Sequence, residues 1–254
     1  MPRSGILFAF VAMLACAGSL AYAQESLGAR LMMDRLGDIQ TGAFTAGDTV
    51  RFTLSHYAEN YLMRFDGDPE IYVLYADHGS LGGRLLRYDS GGTALAVSGW
   101  GAMTIYTDAA PGGLPAERSG DATMPVLPQV SLAAVQEAAD DEGQHLAYMR
   151  GIRLSFAADW AQLATDAGLR MMTFDALQNA ARGIERFVAS AKARAALAAK
   201  MDSVEIVTGG RPTIALHGRT LLVTFVPSRG FAGRASSHGI ARALGQLLSV
   251  PTAG

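Results

Sequence analysis

The sequence predicts an α+β fold packed as one domain, with an antiparallel β-meander in the N-terminal half and helices plus a short antiparallel sheet in the C-terminal half. Apolar and polar residues alternate between residues 48 and 108, which is typical of antiparallel strands. Helical periodicity and short apolar runs are mixed between residues 130 and 250. Strands that are followed by mixed elements indicate the α+β class.

The β-rich part, residues 48–108, divides at turn-forming residues. The Asp-Gly pair at residues 66–67 and the Asp-Ser-Gly-Gly run at residues 89–92 tolerate positive φ, so each is expected to reverse the chain. Six tyrosines lie between residues 57 and 106, and aromatic side chains favour half-buried, pleated surfaces. The expected strands are residues 50–57, 61–65, 70–76, 84–88, 93–98 and 102–107.

Residues 109–129 are expected to form a surface connection. They contain four prolines, several glycines and no recurring apolar period. The pattern changes to a helical one immediately afterwards. The connection therefore separates the two parts of one domain.

The mixed part, residues 130–250, begins with a helix expected over residues 130–148, which Ser131 can cap. A strand at residues 152–156 and a short helix at residues 159–167 follow. A longer helix is expected after Thr173, because apolar residues recur there at spacings of four and three and so share one face. These residues are Leu177, Ala181, Ile184, Val188, Ala191 and Ala195.

The last part of the chain returns to strands, expected at residues 203–208, 213–216 and 219–226. His217-Gly218 is expected to join the last two strands as a two-residue hairpin loop. After a glycine-rich loop, Ser236 or Ser237 can cap a final helix over residues 239–248.

The first 23 residues have the pattern of a secretory signal peptide. Arg3 precedes an apolar run, and the small-residue sequence Ala21-Tyr22-Ala23 follows, so cleavage is expected after Ala23. No later apolar stretch approaches the roughly 20 residues of a transmembrane helix. We therefore expect a periplasmic or secreted domain over residues 24–254. The alternative is a lipoprotein modified at Cys16, the one cysteine of the chain.

Composition and charge exclude several classes of protein. The 254 residues include 21 Lys and Arg against 23 Asp and Glu, so there is no cationic excess for binding nucleic acid. A charged fraction of 17% is too low for a disordered chain. The charge is uneven, because 10 basic and 3 acidic residues lie from Arg182 onwards. We expect this opposite charge to hold the two halves together.

The sequence predicts no catalytic residue, no metal site and no cofactor. No Gly-x-Ser-x-Gly or Ser-x-x-Lys motif occurs, and no two histidines stand at metal-ligand spacing. Asp66, Asp68 and Glu70 alternate like the opening of a calcium loop, but Pro69 interrupts them, and an acidic hairpin turn is the preferred interpretation. The histidines are His56, His78, His145, His217 and His238.

The loop before the last helix is the candidate binding site. Arg229 and Arg234 supply cations, and Ser236 and Ser237 supply hydroxyl groups at the start of the helix. Backbone N–H groups at a helix N-terminus bind anions, so a phosphate, sulfate or carboxylate group could dock there. The alternative is that Ser236 only caps the helix while the arginines pair with carboxylates elsewhere.

Two glycine-rich stretches carry a family resemblance. One covers residues 89–107 with the trailing Pro-Gly-Gly at residues 111–113, the other covers residues 230–241, and residues 62–67 have the same character. In these stretches the sequence resembles an uncharacterised family of exported bacterial proteins, which is classed as a domain of unknown function. The resemblance implies export and one full-length domain, and it implies no activity.

Two functions remain open at this point. The first is an exported, soluble binding or interaction module of the periplasm, which contacts a cell-envelope protein or a small anionic ligand through exposed tyrosines or the loop with Arg229 and Arg234. The second is a hydrolase that acts on a cell-envelope substrate. Because every local catalytic signature is missing, the binding module is the preferred interpretation.

Overall fold

The computed structural model describes residues 39–250, and the predicted signal peptide with Cys16 lies outside them. Within the described residues, antiparallel strands come first, and helices around a second sheet follow. The predicted α+β fold class is therefore confirmed. None of the helices in this range combines the length and the apolar character that crossing a bilayer requires.

Eight strands form a closed antiparallel barrel, in which each strand pairs with the next and the first pairs with the last. Alternate side chains point inwards, and apolar residues fill the interior. Phe44 and Phe52 stack there with ring centroids 5.2 Å apart. The strands are β1 (Gly42–Ala46), β2 (Val50–Tyr57), β3 (Asn60–Phe65), β4 (Tyr72–His78), β5 (Arg84–Arg87), β6 (Thr93–Val97), β7 (Met103–Thr107) and β8 (Ala110–Gly120).

Strands β2 to β7 agree with the six predicted strands to within two residues at each end, whereas β1 and β8, which close the ring, were not predicted. β8 lies in residues 109–129, so the interpretation of residues 110–120 as a connection is wrong. Pro111 and Pro115 are tolerated because their half of the strand has a neighbour on one side only. β1 pairs with β8 only from Ala116 onwards.

The second part of the described chain contains five α-helices and four strands. Helix α1 begins as predicted, because Oγ of Ser131 accepts the N–H of Ala134 at 3.1 Å. The elements are α1 (Leu132–Arg150), β9 (Ser155–Ala158), α2 (Trp160–Thr165), α3 (Ala167–Phe187), α4 (Ala191–Lys200), β10 (Ser203–Thr208), β11 (Thr213–His217), β12 (Thr220–Phe225) and α5 (Ser237–Leu247).

The second sheet has the strand order β11-β12-β10-β9 and mixed directions. Only β11 and β12 are antiparallel as predicted, since β10 runs parallel to both β9 and β12. The helical crossover between β9 and β10 returns the chain in the same direction, which is the usual origin of parallel pairing. The hairpin loop is Gly218-Arg219, one residue later than predicted, because His217 still pairs with Thr220.

The predicted long helix after Thr173 is two helices. Helix α3 begins earlier because the Asp166 carboxylate accepts the N–H of Leu169 at 2.9 Å. Helix α4 begins separately because Oγ of Ser190 accepts the N–H of Ala193 at 3.2 Å. The first four residues of the predicted stripe are buried in the core over the second sheet. Ala191 and Ala195 are exposed, because the new helix start turns Ala193 and Leu197 of α4 towards that core instead.

The two ends of the barrel have different surroundings. Successive hairpin loops of such a barrel alternate between its ends. Loops 66–71, 88–92 and 108–109 form one end, which faces helices α3 and α5, and we call it the junction end. Loops 79–83 and 98–102 lie at the opposite end, which we call the tip.

Candidate functional site

Helix α5 begins against the junction end of the barrel. Ser236 caps the helix, because its Oγ accepts the N–H of Gly239 at 3.2 Å. The Asp89 carboxylate accepts two more bonds from Ser236, one from its N–H at 2.8 Å and one from its hydroxyl at 2.5 Å. A carboxylate of the chain itself therefore lies at the positive end of the helix dipole.

Ser237 binds a second carboxylate of the barrel. Its N–H donates to Oε1 of Glu70 at 2.7 Å, and its Oγ accepts from Nε of Arg186 at 3.0 Å. Glu70 is 0% exposed, and among the described residues its Oε2 has no hydrogen-bond partner. Burial raises the pKa of Glu70, although the hydrogen bonds from Ser237 oppose this. Glu70 therefore keeps its proton to higher pH than a surface glutamate does.

Arg234 lies buried behind the same helix start and is only 5% exposed. Its guanidinium group forms an ion pair with Asp175 of α3 and donates to the carbonyl oxygen of Ile71 at 2.8 Å. It also lies over the ring of Phe231, 5.4 Å from the centroid. Burial raises the pKa of Asp175, and the charge of Arg234 opposes this. Arg234 thus links the barrel to α3 and does not face solvent.

Arg229 lies apart from these residues on the exposed surface. It belongs to the 3-10 segment Pro227–Gly233, whose backbone is held by Tyr57 of the barrel. The phenol oxygen of Tyr57 accepts the N–H of Phe231 at 3.2 Å and donates to the carbonyl oxygen of Arg229 at 3.5 Å. The segment is therefore fixed by its backbone and by the Phe231 ring, which meets the ring of Tyr57 with centroids 5.5 Å apart.

The structure thus brings together three of the four residues of the predicted anion site. Ser236, Ser237 and Arg234 all contact carboxylates, and those carboxylates belong to the chain. An external anion at the start of α5 would have to displace Asp89 or Glu70. The binding of an external anion by these residues stays a prediction.

His238 closes the junction end of the barrel. Its ring stacks on Tyr88 with centroids 4.0 Å apart, and it meets the ring of Tyr72 at 5.7 Å. Burial and the nearby charge of Arg186 lower the pKa of His238 to about 4. Arg186 itself forms an ion pair with Asp108 across the junction. His238 is therefore neutral at neutral pH and packs as an aromatic ring.

Groups with metal-ligand chemistry do not converge in residues 39–250, where no set of three or more His, Cys, Asp or Glu side chains is placed to hold an ion. Of the alternating acids of residues 66–70, Asp68 and Glu70 accept hydrogen bonds from the chain itself. Oδ1 of Asp68 accepts the backbone N–H of Glu70 at 2.8 Å, whereas the Glu70 carboxylate turns to Ser237. His145 instead approaches Glu185, at 3.2 Å on the surface.

An open cleft of about 650 Å³ lies at the carboxyl ends of β10 and β12. Helix α2 and the start of α3 form the opposite wall. Ligand sites commonly have volumes of about 300–1,000 Å³, and α/β sheets bind ligands at the carboxyl ends of their parallel strands. The lining residues are Gln162, Asp166, Gly168, Leu169, Met171, Met172, Thr208, Gly209 and Pro227.

The lining of the cleft is mostly apolar and has little capacity for proton transfer. Asp166 is its one ionisable side chain, and the carboxylate is already engaged as the cap of α3. Met171 and Met172 add flexible, polarisable surface that adapts to ligands of different shape. The cleft can therefore hold an apolar or amphipathic small molecule, with Gln162 and Thr208 available for polar contacts.

Sequence reasoning missed both the cleft and the barrel partners of α5. Asp89 and Glu70 are visible in the sequence only as acids of predicted turns or strands, and nothing local connects them to Ser236 or Ser237. The end of β10 was predicted at Thr208, but the parallel pairing that makes this end a cleft was not.

The fold and the cleft together define an α+β protein that combines a closed eight-stranded barrel with a small, mostly parallel sheet and an open, largely apolar cleft. A family model described as a domain of unknown function (DUF4908) matches residues 26–244, and the chain belongs to this family. No curated protein and no solved structure matches the chain. The resemblance to a domain of unknown function is thus confirmed, and the match assigns no activity.

Proposed function

We propose that this chain is an exported binding protein and that the cleft at the carboxyl ends of β10 and β12 is its ligand site. The observation that carries the proposal is the position of a mostly apolar cleft of about 650 Å³ at this edge of the sheet. Export is supported by the pattern of residues 1–23. The expected ligand is an apolar or amphipathic small molecule.

The barrel of residues 42–120 supports this assignment because its interior is filled. Its interior is occupied by the chain's own apolar side chains, among them the stacked rings of Phe44 and Phe52. At the junction end, His238 and Tyr88 stack across the opening. The barrel therefore acts as a rigid support, and ligand binding falls to the second sheet.

Hydrolysis, the alternative function, has no comparable support. A hydrolase needs a nucleophile or an activated water, together with a group that transfers its proton. The lining of the cleft contains neither a histidine nor a pair of carboxylates, and Asp166 is engaged as a helix cap. Binding without turnover is the function that this lining favours.

The test is a fluorescence titration with N-phenyl-1-naphthylamine, an apolar probe whose emission rises when it leaves water. We expect saturable binding to the chain that lacks residues 1–23. Thr208→Phe places a ring in the cleft from an exposed position at the end of β10 and should weaken binding at least tenfold. Thr213→Phe is the matched control, because Thr213 is an exposed threonine of β11 outside the lining.

Two results would contradict the proposal. The first is a titration of the unmodified chain that does not saturate. The second is an equal effect of Thr208→Phe and Thr213→Phe on the affinity for the probe. Circular dichroism spectra of both variants establish that each is folded before its affinity is compared.

A further inference from the structure

The tip of the barrel presents two large apolar side chains to solvent. Leu81 is 91% exposed and Trp100 is 80% exposed, although apolar side chains of this size usually bury most of their surface. Leu81 lies in loop 79–83 and Trp100 in loop 98–102, so both extend from the end of the barrel opposite helix α5.

The two loops form one surface because their backbones pack against each other. A Cβ atom on Gly99 would lie 2.9 Å from the carbonyl oxygen of Leu81, and one on Gly83 would lie 2.6 Å from the carbonyl oxygen of Val97. Each loop is also closed by its own hydrogen bonds, such as Gly79 N–H to Gly83 O and Ser98 N–H to Ala102 O, both at 2.9 Å. Their glycines therefore bring the loops of Leu81 and Trp100 together into one surface.

The exposed Leu81 has a backbone conformation that costs energy. Its φ of 52° and ψ of 40° lie in the left-handed region, which few residues other than glycine, asparagine and aspartate adopt. The chain has glycine at both following positions, yet it has leucine at the strained one. Strain of this kind concentrates at functional positions.

We propose that this tip binds lipid bilayers by inserting Leu81 and Trp100 into the interfacial region. The ten residues of the two loops are Gly, Ser, Ala, Leu and Trp, with no charged side chain among them. Two projecting loops without charge fit a soft bilayer, with the exposed Glu59 in the third loop of the same end, whereas a protein partner would need a matching cavity. Trp and Leu are favoured in the membrane interface. The proposal does not depend on the cleft.

The experiment measures the binding of the chain without residues 1–23 to unilamellar vesicles of phosphatidylcholine, with and without phosphatidylglycerol. Co-sedimentation gives the bound fraction, and tryptophan emission reports on insertion. Trp160, the other tryptophan, packs against the core of the second sheet and supplies a constant background. We expect a blue shift of the emission with both vesicle types, and quenching when the lipid is brominated in its acyl chains.

Three variants give the test its specificity. Leu81→Gly removes the side chain and relieves the left-handed strain, so it should keep or increase stability while it lowers the vesicle affinity about tenfold. Trp100→Ser should lower the affinity to a similar extent and abolish the blue shift. Val126→Ser is the control, because Val126 is 81% exposed but lies outside the tip, and its affinity should equal that of the unmodified chain.

The proposal is overturned if the unmodified chain binds neither type of vesicle, or if Leu81→Gly and Trp100→Ser bind as tightly as Val126→Ser. It is also overturned if the emission shifts with protein concentration in the absence of vesicles, since the tip would then be a contact between copies of the chain. Because Leu81→Gly should fold at least as well as the unmodified chain, loss of binding in this variant cannot be attributed to unfolding.

Discussion

The Asp89 carboxylate of the barrel accepts both the backbone N–H and the hydroxyl of Ser236, at 2.8 and 2.5 Å. Ser236 is itself the cap of helix α5, so the helix start is completed by a loop that lies 147 positions earlier in the chain. The junction between the two parts of the protein is therefore built on hydrogen bonds that are directional, and single substitutions can test them.

The first prediction concerns the contribution of Asp89 to stability. Asp89→Ala leaves two donors of Ser236 without their partner, and we expect the free energy of unfolding to fall by about 1–3 kcal/mol. Asp89→Asn keeps one acceptor oxygen and should lower the free energy of unfolding by less. Urea unfolding followed by circular dichroism measures both. Asp48→Ala, at an exposed turn of the same end of the barrel, is the control, and an equal loss in Asp48→Ala and Asp89→Ala would contradict the role of Asp89.

The second prediction concerns the contact between helices α3 and α5 at Gly183. A Cβ atom there would lie 2.6 Å from Cβ of Ile240 and 2.9 Å from the carbonyl oxygen of Ser237. Gly183→Ala should therefore destabilise the fold by about 1–3 kcal/mol, although alanine favours a helix by about 1 kcal/mol.

Gly168→Ala is the matched substitution on the same helix, because its Cβ would meet only Oδ1 of Asp166, at 3.4 Å. It should leave the melting temperature unchanged or raise it. If Gly183→Ala has the same effect as Gly168→Ala in differential scanning calorimetry, the close approach of the two helices is not as the structure describes.

The third prediction follows from the raised pKa of Glu70. The folded chain binds this proton more tightly than the unfolded chain, whose Glu70 titrates near the ordinary value of 4.5. The stability that the protonated group contributes is therefore complete below pH 4.5 and is lost as the pH rises through the raised pKa. Glu70→Gln removes this titration, so its stability relative to the unmodified chain should increase with pH in urea unfolding experiments. Glu59→Gln, at an exposed site, is the comparison, and the same trend in both variants would contradict the assignment to Glu70.

The fourth prediction concerns His238, whose contribution to stability increases with pH, whereas that of Glu70 decreases. The pKa of this side chain is lowered from 6.5 to about 4, so the unfolded chain takes up the proton first as the pH falls. The stability from neutral His238 is present above pH 6.5 and is lost as the pH falls towards 4. His238→Phe preserves the stacking on Tyr88 and should lose less stability over this interval. His217→Phe, in the exposed hairpin of the second sheet, serves as the comparison, and identical melting profiles for the two variants would contradict the assignment.

The sequence predicted those strands and helix starts that are determined by neighbouring residues alone. The alternation of apolar residues located strands β2 to β7, and the hydroxyl groups of Ser131 and Ser236 located two helix starts. Strand β8 was missed because its prolines argue against a strand in general, and they are harmless only where one neighbouring strand is absent. The neighbour is absent because β1 is much shorter than β8 and pairs with it only from Ala116 onwards, which no short window of sequence encodes.

The candidate sites were less predictable, because they depend on pairings across the chain. Arg229, Arg234, Ser236 and Ser237 were expected from the sequence to bind an external anion, and this stays a prediction. No local pattern could identify Asp175, Asp89 and Glu70 as the partners of the last three. The cleft depends on β10 lying parallel to β12, and the apolar runs of these strands are equally compatible with antiparallel pairing.

The pairing of β1 with β8 has a consequence for the order of folding. It joins Ala43 to Gly120, so the ring cannot close until the whole of β8 is available. Contacts between residues so distant in sequence form slowly, because the intervening chain must first lose its conformational freedom. The loops that bind α5 belong to this ring. We therefore expect the C-terminal helix to be the last element to dock during folding, and the seam between β1 and β8 to set the rate.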